Sequence, residues 1–349
     1  MKYTSAILPL TLALAAASSP SRAADKPAFW PEDWDRGRLI PLHDGSIALL
    51  GGDPRLQIRS PAGEWSPVVP LALEYVANYE ADDQGLLVVG EEVGTSKLRG
   101  TVVLLLGADG KKIDRWEFPN AGVRSVASHA GRRWATLMNR MVELLPGGRT
   151  EPVFEPLPAP PDVGSEHGEK VQTRTSARLR LGPSGERIFC VPEESHHDGP
   201  CHYGFCFRND QVIWNESGTW TWLPLVCGDY LVEPERRWDR GTYPLHHHHR
   251  IVVRRISDGV KVAAAPVQPS TVVECGVPGA VLLADTSVRA VQLSTGRRLW
   301  SAPVRSGHAV AIAQVGDCTT VLTNHGTMTN ICRGGHADSR QIGKARAKP

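Results

Sequence analysis

Seven short runs rich in apolar residues recur along the chain, each entered through a glycine: SIALL after Gly45, LLVV after Gly85, RRWATLM after Gly131, ERIFCV after Gly185, DYLVE after Gly228, AVLLA after Gly279 and DCTTVLT after Gly316. The spacings between these glycines are 40, 46, 54, 43, 51 and 37 residues. A second run with a hairpin glycine follows each, as in LQIRSPAGEW at Gly63, VVLLLGADGKKIDRW at Gly110, MVELLPGGRTEPVF at Gly148, QVIWNESGTWTW at Gly218, VVRRISDGVKVA at Gly259, AVQLSTGRRLW at Gly296 and TNICRGG at Gly334. Alternating apolar runs bounded by such turns predict half-buried β-strands, because glycine supplies the positive φ that tight hairpins need. No pattern of helical period reaches a convincing length.

Several strands in a unit of about 40 to 50 residues, repeated seven times, predict an all-β fold: a seven-bladed β-propeller of four-stranded antiparallel blades. The expected division is residues 1–23 as a signal peptide, 24–340 as a single propeller domain and 341–349 as a basic tail. The N-terminal segment around Pro31-Glu32-Asp33-Trp34 is expected to complete the last blade, since few strand-like residues follow Gly316. Trp65, Trp116, Trp220 and Trp300 follow hairpin turns and are expected to cover the interfaces between blades.

The segment VRAVQLSTGRRLWSAPV from Val288 resembles the repeat of quinoprotein-type (PQQ-like) propellers, whose pattern is similar to ALDxxTGxxxW. The resemblance covers one blade well and the others in outline, within the wider PQQ-like and WD40-like repeat superfamily. It implies the architecture. It does not imply the cofactor PQQ, because the eight blades and the adjacent-cysteine disulfide of many family enzymes have no counterpart here.

In such a blade the connection between second and third strands shares one rim with the blade-to-blade connection. In the fourth repeat the first of these is EESHHDGPCH, between IFCVP and YGFCF; in the fifth it is PERRWDRGTYPLHHHH. The connection EPLPAPPDVGSEHGEK, between the third and fourth repeats, reaches the same rim and brings His167. Connections longer than their structural task requires are where binding functions concentrate. His167, Asp198, Arg236, Arg237, Trp238 and Tyr243 are therefore candidate ligand-binding residues, and His196, His197, His202 and the run His246, His247, His248, His249 are candidate ligands of zinc or copper. No histidine pair has the spacing of a recognised metal motif, and adjacent residues of an extended chain point in opposite directions. His43, His129, His308 and His336 read as turn or surface residues, and Glu91-Glu92 and Glu193-Glu194 as solvated loop ends.

The chain opens with Lys2, an apolar run from Ala6 to Ala17 and the small-x-small site Ser21-Arg22-Ala23, the pattern of a cleaved secretory signal. No cysteine precedes Cys190, so no lipid-attachment residue is expected at the new N-terminus, and a periplasmic or secreted protein follows. The apolar run falls short of the roughly 20 residues that a membrane helix needs. Removing Lys2 and Arg22 takes the formal charge from +2 to zero, which gives no electrostatic footprint for nucleic acid. In an oxidising compartment the seven cysteines are expected to form disulfides, with Cys190/Cys206 and Cys318/Cys332 the favoured pairs. Cys201 is an alternative partner of Cys206, Cys227 and Cys275 occupy matching places in successive repeats, and the odd total leaves at least one thiol over.

No GxSxG, phosphate loop, HExxH or CxxCH stands in the chain, and no catalytic constellation is spelled out. The expectation is a binding or scaffold protein that takes a protein partner or a small ligand on the enlarged rim of the third to fifth repeats. The alternatives are a zinc- or copper-dependent lyase, hydrolase or oxidoreductase, and a noncatalytic subunit of an envelope complex.

Overall fold

The computed structural model describes residues 38–51, 54–92, 100–119, 121–137, 140–154, 178–192, 201–208, 211–220, 224–238, 247–332 and 337–341. Among them are 28 strands and no helix. The first sheet holds β1 (Arg38–Pro41), β2 (Ile47–Leu50), β3 (Arg55–Arg59) and β4 (Val69–Pro70); the second holds β5 (Leu73–Asp82), β6 (Gly85–Glu92), β7 (Thr101–Gly107) and β8 (Lys112–Phe118). The third holds β9 (Ser125–His129), β10 (Arg132–Leu137), β11 (Arg140–Leu145) and β12 (Arg149–Phe154). An eight-stranded sheet follows: β13 (Arg178–Leu181), β14 (Arg187–Pro192), β15 (Cys201–Arg208), β16 (Gln211–Trp220), β17 (Leu225–Cys227), β18 (Tyr230–Trp238), β19 (His247–Arg255) and β20 (Lys261–Val267). The last two sheets hold β21 (Val272–Cys275), β22 (Ala280–Ala284), β23 (Ser287–Gln292) and β24 (Arg298–Pro303), then β25 (Ala309–Val315), β26 (Cys318–Thr323), β27 (Thr327–Cys332) and β28 (Ala337–Gln341).

All pairings are antiparallel between neighbours in sequence, except for the join inside the eight-stranded sheet, where β16 meets β18 at the single pair Trp220↔Glu235. The seven glycine-led runs are β2, β6, β10, β14, β18, β22 and β26, the second strands of each group of four. All seven glycines have positive φ, from 55° at Gly316 to 148° at Gly85. At Gly85 no other residue fits, because a Cβ would lie 2.1 Å from the Leu106 carbonyl oxygen.

Two expectations about strand ends are corrected. Gly218 lies inside β16 rather than at a hairpin turn, because β15 and β16 already reverse between Arg208 and Gln211. The fourth strand of the last sheet is supplied by β28, from the C-terminal side, while Pro31 to Trp34 lie outside the described residues.

The core lies between sheets. Leu87, Val89, Val103 and Leu105 of the second sheet pack on Val126, Ala135 and Val142 of the third, and Leu39, Ile47 and Leu49 of the first pack on Val310, Ala311 and Leu322 of the last. Middle strands therefore bury both faces, which is why LLVV and AVLLA read as continuous apolar runs instead of alternating ones. First strands also touch those of neighbouring sheets, β5 with β9, β9 with β13, β21 with β25 and β25 with β1.

Tryptophans at the outer strands do part of the expected work. Trp116 on β8 is 1 % exposed and its indole N–H donates to the Leu145 carbonyl of the next sheet at 2.7 Å. Trp214 on β16 plays the same part, donating to the Ile256 carbonyl at 3.0 Å beneath the Arg254 guanidinium. Trp65 packs partly buried against the core shared by the first and last sheets, and Trp300 is 36 % exposed on β24. Trp220, expected beside a turn, instead ends β16 in the pairing with β18.

Two disulfides are defined, Cys318–Cys332 between facing residues of β26 and β27, and Cys227–Cys275 between β17 and β21. Cys190 is disulfide-bonded, but Cys206 is a free, buried thiol, so the Cys190/Cys206 pair does not form and Cys201 does not take Cys206. The register explains this: Cys190 stands opposite Gly204 and Cys206 opposite Ile188, two residues out of step with a hairpin that would pair the two cysteines. Burial, with Glu186 adding to it, pushes the Cys206 thiol up to about 12, so it carries no thiolate reactivity at neutral pH.

Candidate functional site

The rim on which the sequence places its candidate site is reached by two pairs of long strands. β15 and β16 run for 8 and 10 residues, and β18 and β19 for 9 each. Arg236, Arg237 and Trp238 lie on β18, where they face His249, His248 and His247 of β19 respectively; His202 lies on β15. Much of PERRWDRGTYPLHHHH is thus strand, not loop. His247, His248 and His249 are consecutive on β19. Among the described residues no group of three or more His, Cys, Asp or Glu is placed to hold a metal. His167, His196, His197, Asp198, Tyr243 and His246 lie outside the described residues, as do Glu193, Glu194 and His336.

Ion pairs staple the arm at its base. Arg250 bonds the facing Glu235, and Arg254 makes a two-point contact with Glu233 at 2.6 and 3.3 Å. The connection between β6 and β7, residues 93–100, is as long as the one between β14 and β15, so added length is not confined to the third to fifth repeats. Glu91 and Glu92 are not loop ends: both lie on β6, Glu91 accepting from the Tyr75 hydroxyl at 2.7 Å and Glu92 paired with Arg115 at 2.9 Å. His43 is exposed in the turn after β1 and His308 is exposed just before β25.

A second site lies between the first strands. A cavity of about 610 Å³ is lined by Arg38 of β1, Asn78 and Tyr79 of β5, Arg180 of β13, Glu274 of β21 and His308 before β25. At its deep end, one residue before the end of β13, the Arg180 guanidinium donates to Glu80 of β5 at 2.5 Å and to the Pro224 carbonyl at 3.3 Å. Glu274 accepts from the backbone N–H of Cys275 at 3.0 Å.

Burial pushes the Glu274 carboxyl up to about 7; the Cys275 N–H and Arg180 pull it down, and Glu80 adds to the rise. Burial also raises Glu80 against the pull of Arg180 and His43, and raises Tyr79. A carboxyl whose folded value lies above its unfolded 4.5 favours the folded state while protonated, so this contribution is lost as pH rises from about 4.5 to about 7. Denaturant melts across that window are expected to show stability falling with pH, and Glu274→Gln to flatten the slope. A slope unchanged in Glu274→Gln would place the titrating group elsewhere.

The sequence carried a signal for this site that the motif search missed. Five residues before the seven entry glycines stand Ile40, Glu80, Val126, Arg180, Leu223, Glu274 and Ala311. The charged residues occupy the second, fourth and sixth repeats at one repeat position; Arg180 and Glu274 line the cavity, and Glu80 pairs with Arg180.

No family model and no curated protein sequence matches the chain. Solved structures do. The β-propeller domain of Myceliophteria thermophila Cps50 (Swd1) is similar with a TM-score of 0.56 at 12% identity, covering 83% of this chain and 93% of that one. A chain of the Mitotic Checkpoint Complex follows with a TM-score of 0.53 at 12% identity, over 92% and 96%, and the WD40 β-propeller domain of Doa1 with 0.52 at 12%, over 85% and 92%. The fold is therefore a β-propeller, all-β with four-stranded antiparallel sheets. The disulfides suit an oxidising compartment, and among the described residues no helix is long and apolar enough to cross a membrane.

Proposed function

We propose that the chain is a secreted or periplasmic propeller of seven blades, cleaved after Ala23, that works as a binding scaffold and takes a protein partner on the rim carrying the β15–β16 and β18–β19 hairpins. The observation that carries this is the pairing of Trp220 with Glu235, which joins two neighbouring sheets into one eight-stranded surface at that rim. Splitting that sheet at this single pair leaves seven groups of four strands, the basis for the blade count. Long paired strands present backbone and side chains in a fixed register, which lowers the ordering cost of binding relative to a free loop. A structural neighbour belongs to the Mitotic Checkpoint Complex, a propeller working inside an assembly.

The test is site-specific photocrosslinking in the producing cell. A photoreactive residue at Arg237 or His248 is expected to capture one discrete protein, and one at Lys111, in the turn between β7 and β8, none. Shortening the arm to a two-residue turn between Glu235 and Arg250 should abolish capture by a photoreactive residue at Thr219, on the adjoining strand β16. Capture that survives the shortening, or that occurs only at Lys111, rejects the rim.

A further inference from the structure

We propose that the cavity between the first strands binds a small organic cation, a ligand bearing a primary ammonium group, held by the Glu274 carboxylate and the Asn78 side-chain oxygen.

Four other buried or half-buried carboxylates of this chain are each paired with an arginine. Asp82 is held by Arg133 through two bonds at 2.7 and 2.9 Å, Glu233 by Arg254, Glu80 by Arg180 and Glu186 by Arg208. Each carboxylate taken from water has a guanidinium against it, as the cost of burying an unpaired charge demands. Glu274 breaks the rule: among the described residues no cation pairs with it, and its one hydrogen bond comes from the adjacent backbone N–H. Asn78 Oδ1, lining the same cavity, is buried and has no hydrogen-bond partner either. A buried acceptor without a donor is costly, and one that shares a cavity with a carboxylate lacking a cation marks a place for a donor from outside.

The missing group is a cation more readily than an anion. The Arg180 guanidinium is already committed to Glu80 and Pro224, so a carboxylate or phosphate would enter against Glu80 and Glu274. An ammonium carries three donors and no acceptor, enough for the Glu274 carboxylate and Asn78 Oδ1 with one to spare. Tyr79 lines the same space, and Val272, Val310 and Ile312 line it with apolar surface for a short alkyl chain. The charged and titratable groups around Glu274 are Glu80, Arg180, Arg38, Tyr79 and His308. Ionisation of Glu274, favoured above about pH 7, adds the charge that the ammonium recognises.

Calorimetric titration of the purified protein with n-butylamine, n-butanol and butyrate tests this. At pH 8 the amine is expected to bind saturably and the other two not. Glu274→Gln should weaken amine binding by about tenfold or more, the loss of a charge-assisted hydrogen bond. Asn78→Leu should weaken it several-fold, and binding at pH 5.5 should be weakened as in Glu274→Gln. His308→Asn should keep the pH response, which assigns it to Glu274. Should Glu274→Gln fail to fold, Asn78→Leu and the pH pair decide alone. Absence of saturable amine binding, butyrate binding as tight as the amine, or undiminished amine binding by folded Glu274→Gln overturns the proposal. None of these results bears on crosslinking at the rim, so the two sites stand or fall separately.

Discussion

Arg133→Met is expected to lower the stability of the protein by about 3–5 kcal/mol, the cost of removing one partner from a buried ion pair. Arg133 of β10 reaches from the third sheet to Asp82 at the end of β5 in the second, and the two side chains are 9 % and 0 % exposed. Without the guanidinium, Asp82 keeps a bond from the Gln84 backbone N–H but loses both charged donors. Equilibrium denaturation of Arg133→Met and of Asp82→Leu/Arg133→Met checks the cause, because removing both partners of such a pair is often nearly neutral. A single variant that loses less than about 1 kcal/mol, or a double variant worse than the single, would show that the pair does not hold the two sheets together.

Replacing Cys227 and Cys275 together by serine is expected to cost about 4 kcal/mol, against about 3 kcal/mol for the Cys318/Cys332 pair, on the chain-entropy account of disulfide stabilisation. The difference comes from loop length, since the sequence separations are 48 and 14 residues. The two bonds also act on different things. Cys318–Cys332 links strands of a single hairpin that pair anyway, whereas Cys227–Cys275 fastens the short first strand β17 to β21 of the next sheet. Chemical denaturation of the two double variants under oxidising conditions measures both costs. A larger loss from the hairpin disulfide than from the inter-sheet one would overturn the ranking.

The repeat was the most legible feature of the sequence, because turn glycines are read directly: a positive φ at Gly45, Gly131 or Gly279 admits little else, and each marks a second strand. The Cys318/Cys332 pair was legible for a related reason, since a short regular hairpin has one register. Cys190/Cys206 was not, because β14 and β15 pair two residues out of step with it and composition does not reveal the register. Trp214 was missed as an interface tryptophan because the hairpin glycine of its repeat was placed at Gly218, inside the strand. The charged residues of the central cavity were hidden differently. Glu80, Arg180 and Glu274 stand in ANYEAD, RLRL and TVVEC, where an isolated charge on a short strand looks like a solvated residue. Only alignment of the repeats on their glycines shows that three such charges meet.

The Arg180–Glu80 contact joins strands of two sheets that are not neighbours in the chain, near the ends that lead into the entry turns, while Arg38 and His308 stand where their strands begin. The opening of the cavity beside Arg38 and His308 therefore lies on the side on which β18 ends and β19 begins. A partner resting across the long hairpins would sit as a lid over that mouth, so that the order in which a small molecule and a protein arrive would decide whether the first is admitted, shut in or kept out.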